Sequence, residues 1–555
     1  MTVSPVQAVL DVFRDECVDR VFGNPGTTEL PLLAALAEAP DIAYVLGVQE
    51  ASVVAMADGY ARATGRPAVV SLHAAGGTAN GLVGLLNARR SRTPLVALAG
   101  QQDRRHLAQD PMLSADIAAL ARPAVKESLD VHHAFDLPLM LRRAFDLARR
   151  APAGPVLLTV PMDLLAEDTA VEVPVRSGSA PAQPSGGLAR AAELLARAEN
   201  PVIVAGDGVG RSGAVRELVT VAEAAGARVF HQPMFDRLDF PLTHPLHQGM
   251  LGASHADIRK ALEGHDLILI VGCHAFTPHH YTPVDPIPPG ATVVQLDDDP
   301  AEPGRNFPVA LGLTGGVKES LSALRGELRA HEDLPARARK RMVAARERAH
   351  SHMMSQRARA ATLKGPAPFD PAAAVLAVAS ALPREATVVE EAITAGLLLR
   401  QALRLDRPGS YVHTVGGGLG HGIGAAIGTR LGDPARPVVA VLGDGCTLFG
   451  LQGLWSAARY QVPVTFVVMN NGEYRTLKQT LDAWDSPAAQ PLLDLAPPPL
   501  DFTRAAEFFA IPAVRPDTLE ELSEAIAGSA HATTPVLVEV RVTGHSGARG
   551  TREDG

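Results

Sequence analysis

The sequence predicts an α/β fold in which three doubly wound parallel-sheet domains follow one another along the chain. With 555 residues, the chain is too long for a single hydrophobic core and has the length of about three domains. Short runs rich in Val, Ile and Leu alternate with longer amphipathic segments, which is the pattern of parallel strands covered by helices. Two stretches of different composition, 171–187 and 327–370, interrupt this alternation. We therefore expect an N-terminal domain over 1–170, a middle domain over 188–326 and a C-terminal domain over 367–545.

The two intervening stretches have the composition of connections. Residues 171–187 are rich in Pro, Gly and Ser, as is typical of a linker. Residues 327–370 include the basic run ARARKRMVAARERAH, which suits either a phosphate-binding patch or a solvated helix. Of these two interpretations we favour the solvated linker helix.

Composition and charge exclude several classes of function. Apolar and charged residues make up 46% and 20% of the chain, as in an ordinary soluble protein, and the net charge of −9 argues against a nucleic-acid-binding surface. The sequence shows no secretory signal pattern at its start, and no apolar run approaches the ~18 residues that span a bilayer. Cys17, Cys273 and Cys446 are widely separated, so neither a zinc site nor a disulfide framework is expected. We expect a cytoplasmic enzyme with no nucleic-acid or membrane partner.

The strongest functional signal lies in the C-terminal block, where two apolar runs end in polar residues. The first run leads into Gly-Asp-Gly at 443–445, and the second leads into Asn471, which follows Asp444 by 27 residues. Both side chains therefore emerge at the carboxyl ends of strands, where open α/β sheets bind ligands. A carboxylate and an amide oxygen are ligands that Mg²⁺ accepts when a phosphate completes its coordination. The spacing predicts a metal site made by Asp444 and Asn471.

The residues around Asp444 suit a diphosphate. Gly443 and Gly445 let the backbone approach a phosphate closely, and Cys446 and Thr447 open the next helix, whose N-terminus favours an anion. This combination, with a strand before each polar element, resembles the binding fingerprint of thiamine diphosphate (ThDP) enzymes.

A second Gly-Asp-Gly, at 206–208, serves as an internal control. It also follows an apolar run, and its sequence GDGVGRSG superficially resembles a dinucleotide-binding loop. However, no Asn at a strand end follows at the required distance, and a lone glycine-rich loop is weak evidence. We interpret 206–208 as a structural turn between a strand and a helix.

ThDP also needs a carboxylate beside its aminopyrimidine ring, in a place dry enough to strengthen the hydrogen bond. Glu50 is the candidate, because it ends the strand-like run YVLGVQ and opens a helix whose first apolar residues are small. By itself, a helix-opening glutamate is ordinarily a favourable contact with the helix dipole. Because the Asp444–Asn471 pair is present, we predict that Glu50 is catalytic and binds the cofactor.

Six segments together resemble the ThDP-dependent 2-oxo acid decarboxylases, and among them the benzoylformate decarboxylases. The similarity extends from residue 5 to about residue 542. Besides the GDG–Asn pair, the segments are FGNPGTTELPLL (22–33), VQEASVV around Glu50, SLHAAGGTAN (71–80), LAGQQ (98–102) and GGGLG (416–420).

The resemblance implies roles for the Asn-Pro-Gly turn and for two histidines. Asn24, Pro25 and Gly26 would contact the cofactor, and Thr27 stands where the family has a serine that contacts the substrate carboxylate. Thr27 keeps the hydroxyl, while its methyl group narrows the pocket.

The active-site histidines of the family, which carry protons, correspond to His73 and His279. Imidazoles suit this role because they titrate near neutrality. His280 is adjacent to His279 and His274 lies nearby, so the second proton carrier is either His279 or His280.

The resemblance also implies roles for the C-terminal block. Leu419 would hold ThDP in a bent shape, while the Gly417 carbonyl would accept a hydrogen bond from the cofactor's amino group. Glu473 matches a position whose backbone carbonyl binds the metal, which completes a set with Asp444 and Asn471. The segment 473–486 is less aromatic than in the family, so a phenyl pocket is not presumed.

The implied activity is ThDP- and Mg²⁺-dependent, non-oxidative decarboxylation of a benzoylformate-like 2-oxo acid to an aldehyde and CO₂. An acetolactate-synthase-like carboligase that uses the same intermediate is the alternative, and a non-catalytic protein with this fold is a third interpretation. The resemblance further implies a homodimer or homotetramer, in which domains of two subunits form each active site.

Overall fold

Three parallel sheets form the framework of the protein and confirm the predicted α/β class. The structure is a computed structural model that describes residues 2–178, 180–277, 279, 281–362 and 365–544. The described residues form two compact units: those of the first lie within 1–178, 364–400 and 414–555, and those of the second lie within 179–363 and 401–413. None of the helices in the described ranges is both long enough and apolar enough to cross a bilayer.

The first sheet lies in the N-terminal part of the first unit. The strands of this part are β1 (Thr2–Val3), β2 (Arg20–Asn24), β3 (Ala43–Leu46), β4 (Ala68–Leu72), β5 (Leu95–Gln101), β6 (Glu127–Asp130), β7 (Val156–Pro161) and β8 (Val171–Glu172). The helices are α1 (Pro5–Asp15), α2 (Leu30–Ala37), α3 (Glu50–Thr64), α4 (Ala74–Arg90), α5 (Ile117–Ala121), α6 (Leu137–Arg149) and α7 (Met162–Leu165). The sheet order β3-β2-β4-β5-β7-β6 reverses between β2 and β4, while β8, at the start of the predicted linker, pairs with β1.

The second sheet forms the centre of the second unit. Its strands are β9 (Pro201–Ala205), β10 (Arg228–His231), β11 (His247–Met250), β12 (Leu267–Val271), β13 (Thr292–Asp297) and β14 (Leu311–Thr314), in the order β11-β10-β9-β12-β13-β14. The helices are α8 (Leu188–Arg197), α9 (Asp207–Arg211), α10 (Val215–Ala225), α11 (His255–Leu262), α12 (Val317–Leu328) and α13 (Leu334–Thr362). Strands β9 and β12 are buried along their whole length, as expected for the centre of a sheet that is covered on both faces.

The basic run forms the predicted helix, α13, but two of its arginines do more than face solvent. Arg337 donates to the carbonyl oxygens of Ala196 and Ala198, at the end of α8. Arg341 donates to the Ala225 oxygen at the end of α10, at 2.7 Å. These carbonyls have no partner within their own helices, so the arginines act as C-terminal caps.

The third sheet lies in the C-terminal part of the chain. The strands are β15 (Thr387–Glu391), β16 (Tyr411–His413), β17 (Val438–Gly443), β18 (Val464–Asn470), β19 (Ala513–Val514) and β20 (Val536–Arg541). The helices are α14 (Pro371–Ala381), α15 (Ile393–Ala402), α16 (His421–Gly432), α17 (Asp444–Gly450), α18 (Gly453–Arg459), α19 (Arg475–Ala483), α20 (Phe502–Phe508) and α21 (Leu519–Ala527). Within the first unit the strand order is β15-β17-β18-β20-β19.

Helices α3 and α16 cross at backbone contact inside the first unit. A Cβ atom on Gly428 would lie 1.8 Å from the Met56 carbonyl oxygen, and one on Gly59 would lie 2.1 Å from the Ala425 oxygen. Only glycine permits two helix backbones to approach this closely. The crossing therefore joins the helix that begins at Glu50 to the helix that follows the GGGLG segment.

A buried charged group lies at the same crossing. Asp58 of α3 pairs with Arg62 at 2.9 Å and with His421 of α16 at 3.2 Å. Burial alone would raise the pKa of Asp58, but Arg62 and His421 hold it well below its usual range. The carboxylate is therefore ionised, and its pairing opposes the cost of burying charge between the helices.

Candidate active site

The sheet order brings two predicted site segments together. Strands β2 and β4 are neighbours on either side of the order reversal, so the turn after Asn24 and the residue after Leu72, His73, lie at one carboxyl edge. Such a switch point is where open α/β sheets bind ligands. Ala74, next to His73, has φ +47°, a left-handed conformation that residues other than glycine rarely adopt and that often marks a functional site.

Glu50 is a buried carboxylate held by two amide groups. Its side chain accepts hydrogen bonds from Asn24 Nδ2 at 2.9 Å and from Asn80 Nδ2 at 3.1 Å, and the residue is 6% exposed. Helix α3 begins at Glu50 because the Gln49 side chain caps it by accepting from Ser52 N. Two neutral donors stabilise the carboxylate and fix its direction without neutralising it.

Glu50 and His73 are neighbours across the space left by Gly77. A Cβ atom on Gly77 would lie 3.1 Å from Glu50 Oε1 and 3.3 Å from His73 Cβ. The structure thus brings the predicted catalytic carboxylate and the predicted proton carrier together.

The His73 ring is held by three residues of the segment that follows Asn24. Its Nδ1 lies 2.9 Å from Glu29 Oε2 and 3.0 Å from Thr28 Oγ1. Gly26 packs flat on the ring, where a Cβ would lie 2.3 Å from Nδ1. Thr27 begins a 3₁₀ turn that ends at Glu29, and it is exposed. The hydroxyl predicted to contact substrate is therefore accessible.

Asp444 lies at the carboxyl edge of the third sheet, where β17 and β18 are paired. Its Oδ2 accepts hydrogen bonds from Asn471 N at 3.0 Å and Gly472 N at 2.7 Å, and its Oδ1 accepts from Gly445 N at 2.7 Å. Burial raises the pKa of this carboxyl group despite these backbone donors. In the described part of the chain, Asp444 forms no ion pair with a basic side chain, so a bound cation would supply the missing positive charge.

The other two predicted metal ligands adjoin Asp444. Asn471 Oδ1 accepts from Glu473 N at 3.0 Å. The Glu473 carboxylate is turned towards Lys478, at 2.5 Å, so its backbone carbonyl rather than its side chain is the candidate ligand. The described residues contain no cluster of three His, Cys, Asp or Glu side chains able to hold a metal. A magnesium ion fits this set nevertheless, because it accepts amide and backbone oxygens beside a single carboxylate and a cofactor phosphate.

Cys446 and Thr447 contribute mainly to the shape of the turn. Cys446 is buried, and burial raises the pKa of its thiol well above the usual range, so it is no nucleophile. The Thr447 hydroxyl donates to the Gly443 oxygen at 2.8 Å. A Cβ on Gly445 would lie 2.7 Å from the Tyr474 ring, so this glycine permits a close approach.

The GGGLG segment is held by residues that the sequence did not identify. Gly417 is exposed with φ +77°, and Leu419 is half-buried. Asn87 exchanges two hydrogen bonds with Gly418, at 2.8 and 3.0 Å. Asn87 and Asn80, the partner of Glu50, are seven residues apart, which places both on one face of α4, two turns from each other. This spacing is the sequence signal that could have identified them.

Glu391 anchors the far end of that segment. It ends β15, the neighbour of β17, and accepts from the backbone nitrogens of His421 and Gly422 at 3.2 and 2.8 Å. Burial raises its pKa to about 7, and the backbone donors oppose this shift. The run TVVEEA signals a polar strand end but does not reveal its partner.

His279 belongs to the second unit. It is exposed, and its backbone nitrogen donates to the Ala253 oxygen at 2.8 Å. His274 pairs with Glu302 at 2.7 Å, while His280 lies outside the described residues. The role of His279 or His280 as second proton carrier therefore stays a prediction.

The second Gly-Asp-Gly uses its glycines for packing. Gly206 N donates to the Val271 oxygen at 2.9 Å, and a Cβ on Gly208 would lie 2.6 Å from Gly272 Cα. Asp207 accepts from Asp236 N at 2.8 Å, and burial raises its pKa. The close backbone contact is what a structural turn between β9 and α9 requires.

Comparison with known proteins covers nearly the whole chain. Family models match in order: thiamine pyrophosphate enzyme, N-terminal TPP binding domain, over 4–120; central domain over 188–324; and C-terminal TPP binding domain over 394–540. Benzoylformate decarboxylase from Pseudomonas aeruginosa is 37% identical over 96% of this chain and 98% of its own length. A putative acetolactate synthase large subunit from Mycobacterium tuberculosis is 31% identical over 97% of this chain and 98% of its own.

Solved structures agree with these matches. The ThDP-dependent 4-hydroxybenzoylformate decarboxylase of Rhodococcus jostii RHA1 aligns with a TM-score of 0.86 and 32% identity, over 98% of this chain and 99% of its own. Benzoylformate decarboxylase from Polynucleobacter necessarius aligns with the same TM-score and 29% identity, over 98% and 99%.

Proposed function

The chain belongs to the thiamine pyrophosphate (ThDP) enzyme family, and we propose that it decarboxylates a benzoylformate-like 2-oxo acid to an aldehyde and CO₂ with the help of Mg²⁺. The observation that carries this proposal is the placement of a buried carboxylate, Glu50, and of His73 on either side of Gly77 at one sheet edge. Relatives named as benzoylformate and 4-hydroxybenzoylformate decarboxylases support the substrate class.

The Asp444 carboxylate, the Asn471 amide oxygen and the Glu473 backbone carbonyl are the proposed Mg²⁺ ligands. The backbone donors that fix Asp444 leave it little freedom to move, which suits an ion that demands regular geometry. The proposed contacts with ThDP come from Asn24, Pro25, Gly26, Glu50, Gly417, Leu419, Gly443, Asp444, Gly445, Cys446, Thr447 and Asn471.

Four side chains perform the proposed chemistry. When bound, ThDP supplies the electron sink that permits loss of CO₂ from a 2-oxo acid. Glu50 would hold the aminopyrimidine ring through a hydrogen bond that its burial would strengthen. Thr27 binds and orients the substrate carboxylate with its hydroxyl. His73 moves a proton at Nε2, and His279 is the proposed second carrier.

Purified protein supplied with ThDP and Mg²⁺ should release equal amounts of aldehyde and CO₂ from at least one member of a panel of aryl and alkyl 2-oxo acids. Removing the metal with a chelator should abolish release, and added Mg²⁺ should restore it, because the proposed diphosphate site needs the cation. Coupled aldehyde reduction and CO₂ trapping measure the two products. Absence of release from every substrate would contradict the proposed activity.

A carboligase is the second candidate, since relatives named as acetolactate synthases also match nearly the whole chain. The same residues would act up to the loss of CO₂. The carbon that lost CO₂ would then form a bond with a second carbonyl compound instead of taking up a proton. Chromatography of the products with two acceptors present separates the outcomes. Hydroxyketone in excess of aldehyde would favour the carboligase.

We propose a homodimer or homotetramer in which Glu50 of one subunit and Asp444 of another serve one site. Glu50→Gln and Asp444→Ala chains should each be inactive, the second because it loses a metal ligand. After co-refolding, random pairing should restore about a quarter of parental activity, since half of the dimers contain one intact site. Turnover and light scattering measure the result. An active monomer, or no recovery in verified mixed dimers, would contradict shared sites.

A further inference from the structure

Both groups that contact His73 Nδ1 act as hydrogen-bond acceptors. The Glu29 carboxylate can only accept when ionised. The Thr28 hydroxyl donates its hydrogen to Glu29 Oε1, so its oxygen has only lone pairs left for Nδ1. In the neutral ring the proton must therefore lie on Nδ1, and Nε2 must be the basic nitrogen.

The hydrogen bonds around Glu29 fix its carboxylate firmly. Oε2 accepts from Gly26 N at 2.8 Å as well as facing His73 Nδ1, while Oε1 accepts from Thr28. Gly26 in turn packs against the imidazole face. One short turn thus holds both the carboxylate and the ring it contacts.

Glu29 lies in surroundings that oppose a charge. Its side chain is 4% exposed and borders a cavity of about 20 Å³ whose lining is mostly aliphatic, including Leu32, Leu98 and Leu137. In the described part of the chain, His73 is the one basic side chain paired with Glu29. An uncharged glutamine would fill the same volume without the cost of burying a carboxylate. Of the three groups that the Glu29 carboxylate contacts, Gly26 N, the Thr28 hydroxyl and the His73 ring, the ring is the one that can become positively charged. The negative charge of Glu29 therefore stabilises the His73 imidazolium most.

We propose that Glu29 is a positioning residue for His73, which keeps the neutral imidazole protonated at Nδ1 and stabilises the imidazolium when Nε2 takes up a proton. This inference rests on the proposed function, because His73 is there the proton carrier. Removal of such an orienting partner typically costs 10- to 100-fold in activity, by analogy with ligands that depend on a second residue. Thr28 completes the arrangement by donating to the carboxylate, so that it cannot donate to Nδ1.

A double-mutant cycle tests whether Glu29 acts through His73. Glu29→Gln preserves the size of the side chain and should lower kcat by about 10- to 100-fold, with KM changed less than about threefold. In a His73→Ala background the same change should have almost no effect, since the residue it positions is gone. An equal loss in both backgrounds would show a merely structural role and overturn the proposal.

Thr28→Val provides the matched control, because it removes the hydroxyl while the carboxylate remains. Its loss of kcat should be clearly smaller than that of Glu29→Gln, and an equal or greater loss would transfer the role to Thr28. Thermal unfolding of all variants identifies any change that acts through stability.

A spectroscopic measurement tests the proposal without an activity assay, and it does not require that a Glu29 variant fold. ¹⁵N solid-state NMR of cofactor-free protein labelled at histidine, with His73 assigned by difference from His73→Ala, should show the Nδ1–H tautomer at alkaline pH. An Nε2–H tautomer would overturn the proposal. If the parent protein decarboxylates no 2-oxo acid, the proposed function fails, while this spectrum still decides the position of the proton.

Discussion

Glu50→Gln should leave a folded protein that retains ThDP but turns over substrate at least about 100-fold more slowly. The amide has nearly the same size and can still accept a hydrogen bond from Asn24, so binding of the cofactor's diphosphate should be little affected. It cannot carry the negative charge that Asn24 and Asn80 stabilise in the parent. Because that charge acts on cofactor activation rather than docking, kcat should fall far more than cofactor affinity. Steady-state kinetics and a ThDP titration measure the two quantities.

A glutamate in the first turn of another helix provides the control. Glu520 occupies the first turn of α21 and is exposed, so its change to glutamine removes only an ordinary contact with the helix dipole. Glu520→Gln should therefore leave turnover unchanged. Near-parental activity in Glu50→Gln would end its assignment as the activating carboxylate.

Gly428→Ala should destabilise the first unit severely. The added Cβ would lie 1.8 Å from the Met56 oxygen, so helices α3 and α16 would have to separate. Overpacking of a core usually costs 1–3 kcal/mol, and a clash with backbone that cannot rotate away belongs at or above about 3 kcal/mol. We expect a large fall in the thermal midpoint, measured by circular dichroism, or no soluble protein.

Gly528→Ala is the corresponding control within the same unit. Gly528 has right-handed helical backbone angles, and its Cβ would meet no atom within 4 Å. Alanine there should leave the thermal midpoint unchanged or raise it. The free energy of unfolding should increase by at most about 1 kcal/mol, because alanine restricts the unfolded chain more than glycine does. Equal midpoints for Gly428→Ala and the parent would show that the two helices separate at little cost.

The strand ends could be predicted because local sequence determines them. The apolar runs before Asp444 and Asn471 are buried strands, and the distance between them identified a pair that the second Gly-Asp-Gly lacks. Asp207 has the same flanking glycines as Asp444, yet it turns onto the backbone of Asp236. The 27-residue spacing between Asp444 and Asn471 distinguished the two triplets, because it places the two residues at the ends of strands that are paired in the sheet. No such residue follows Asp207.

The residues that the sequence did not reveal depend on contacts between distant segments. Glu29 and Asn80 look like ordinary helical or turn residues until β2 and β4 become neighbours. Asn87 meets Gly418 across more than 300 positions of sequence, at a contact that no local pattern encodes. Glu391 looks like one of two glutamates at a strand end. A single sequence therefore reveals the groups that begin or end elements better than the groups that hold them.

The crossing of α3 and α16 also constrains how relatives of this protein can be recombined. Each helix presents glycines shaped to the backbone of the other, at Gly59, Gly424 and Gly428. A chimaera that joins residues 1–170 of one relative to 367–545 of another would pack an α3 surface from one protein against an α16 surface from the other. Exchange of both segments together, with the middle part left in place, preserves the fit. Recombination that aims at new substrate ranges should therefore exchange these two segments together rather than any single continuous stretch of sequence.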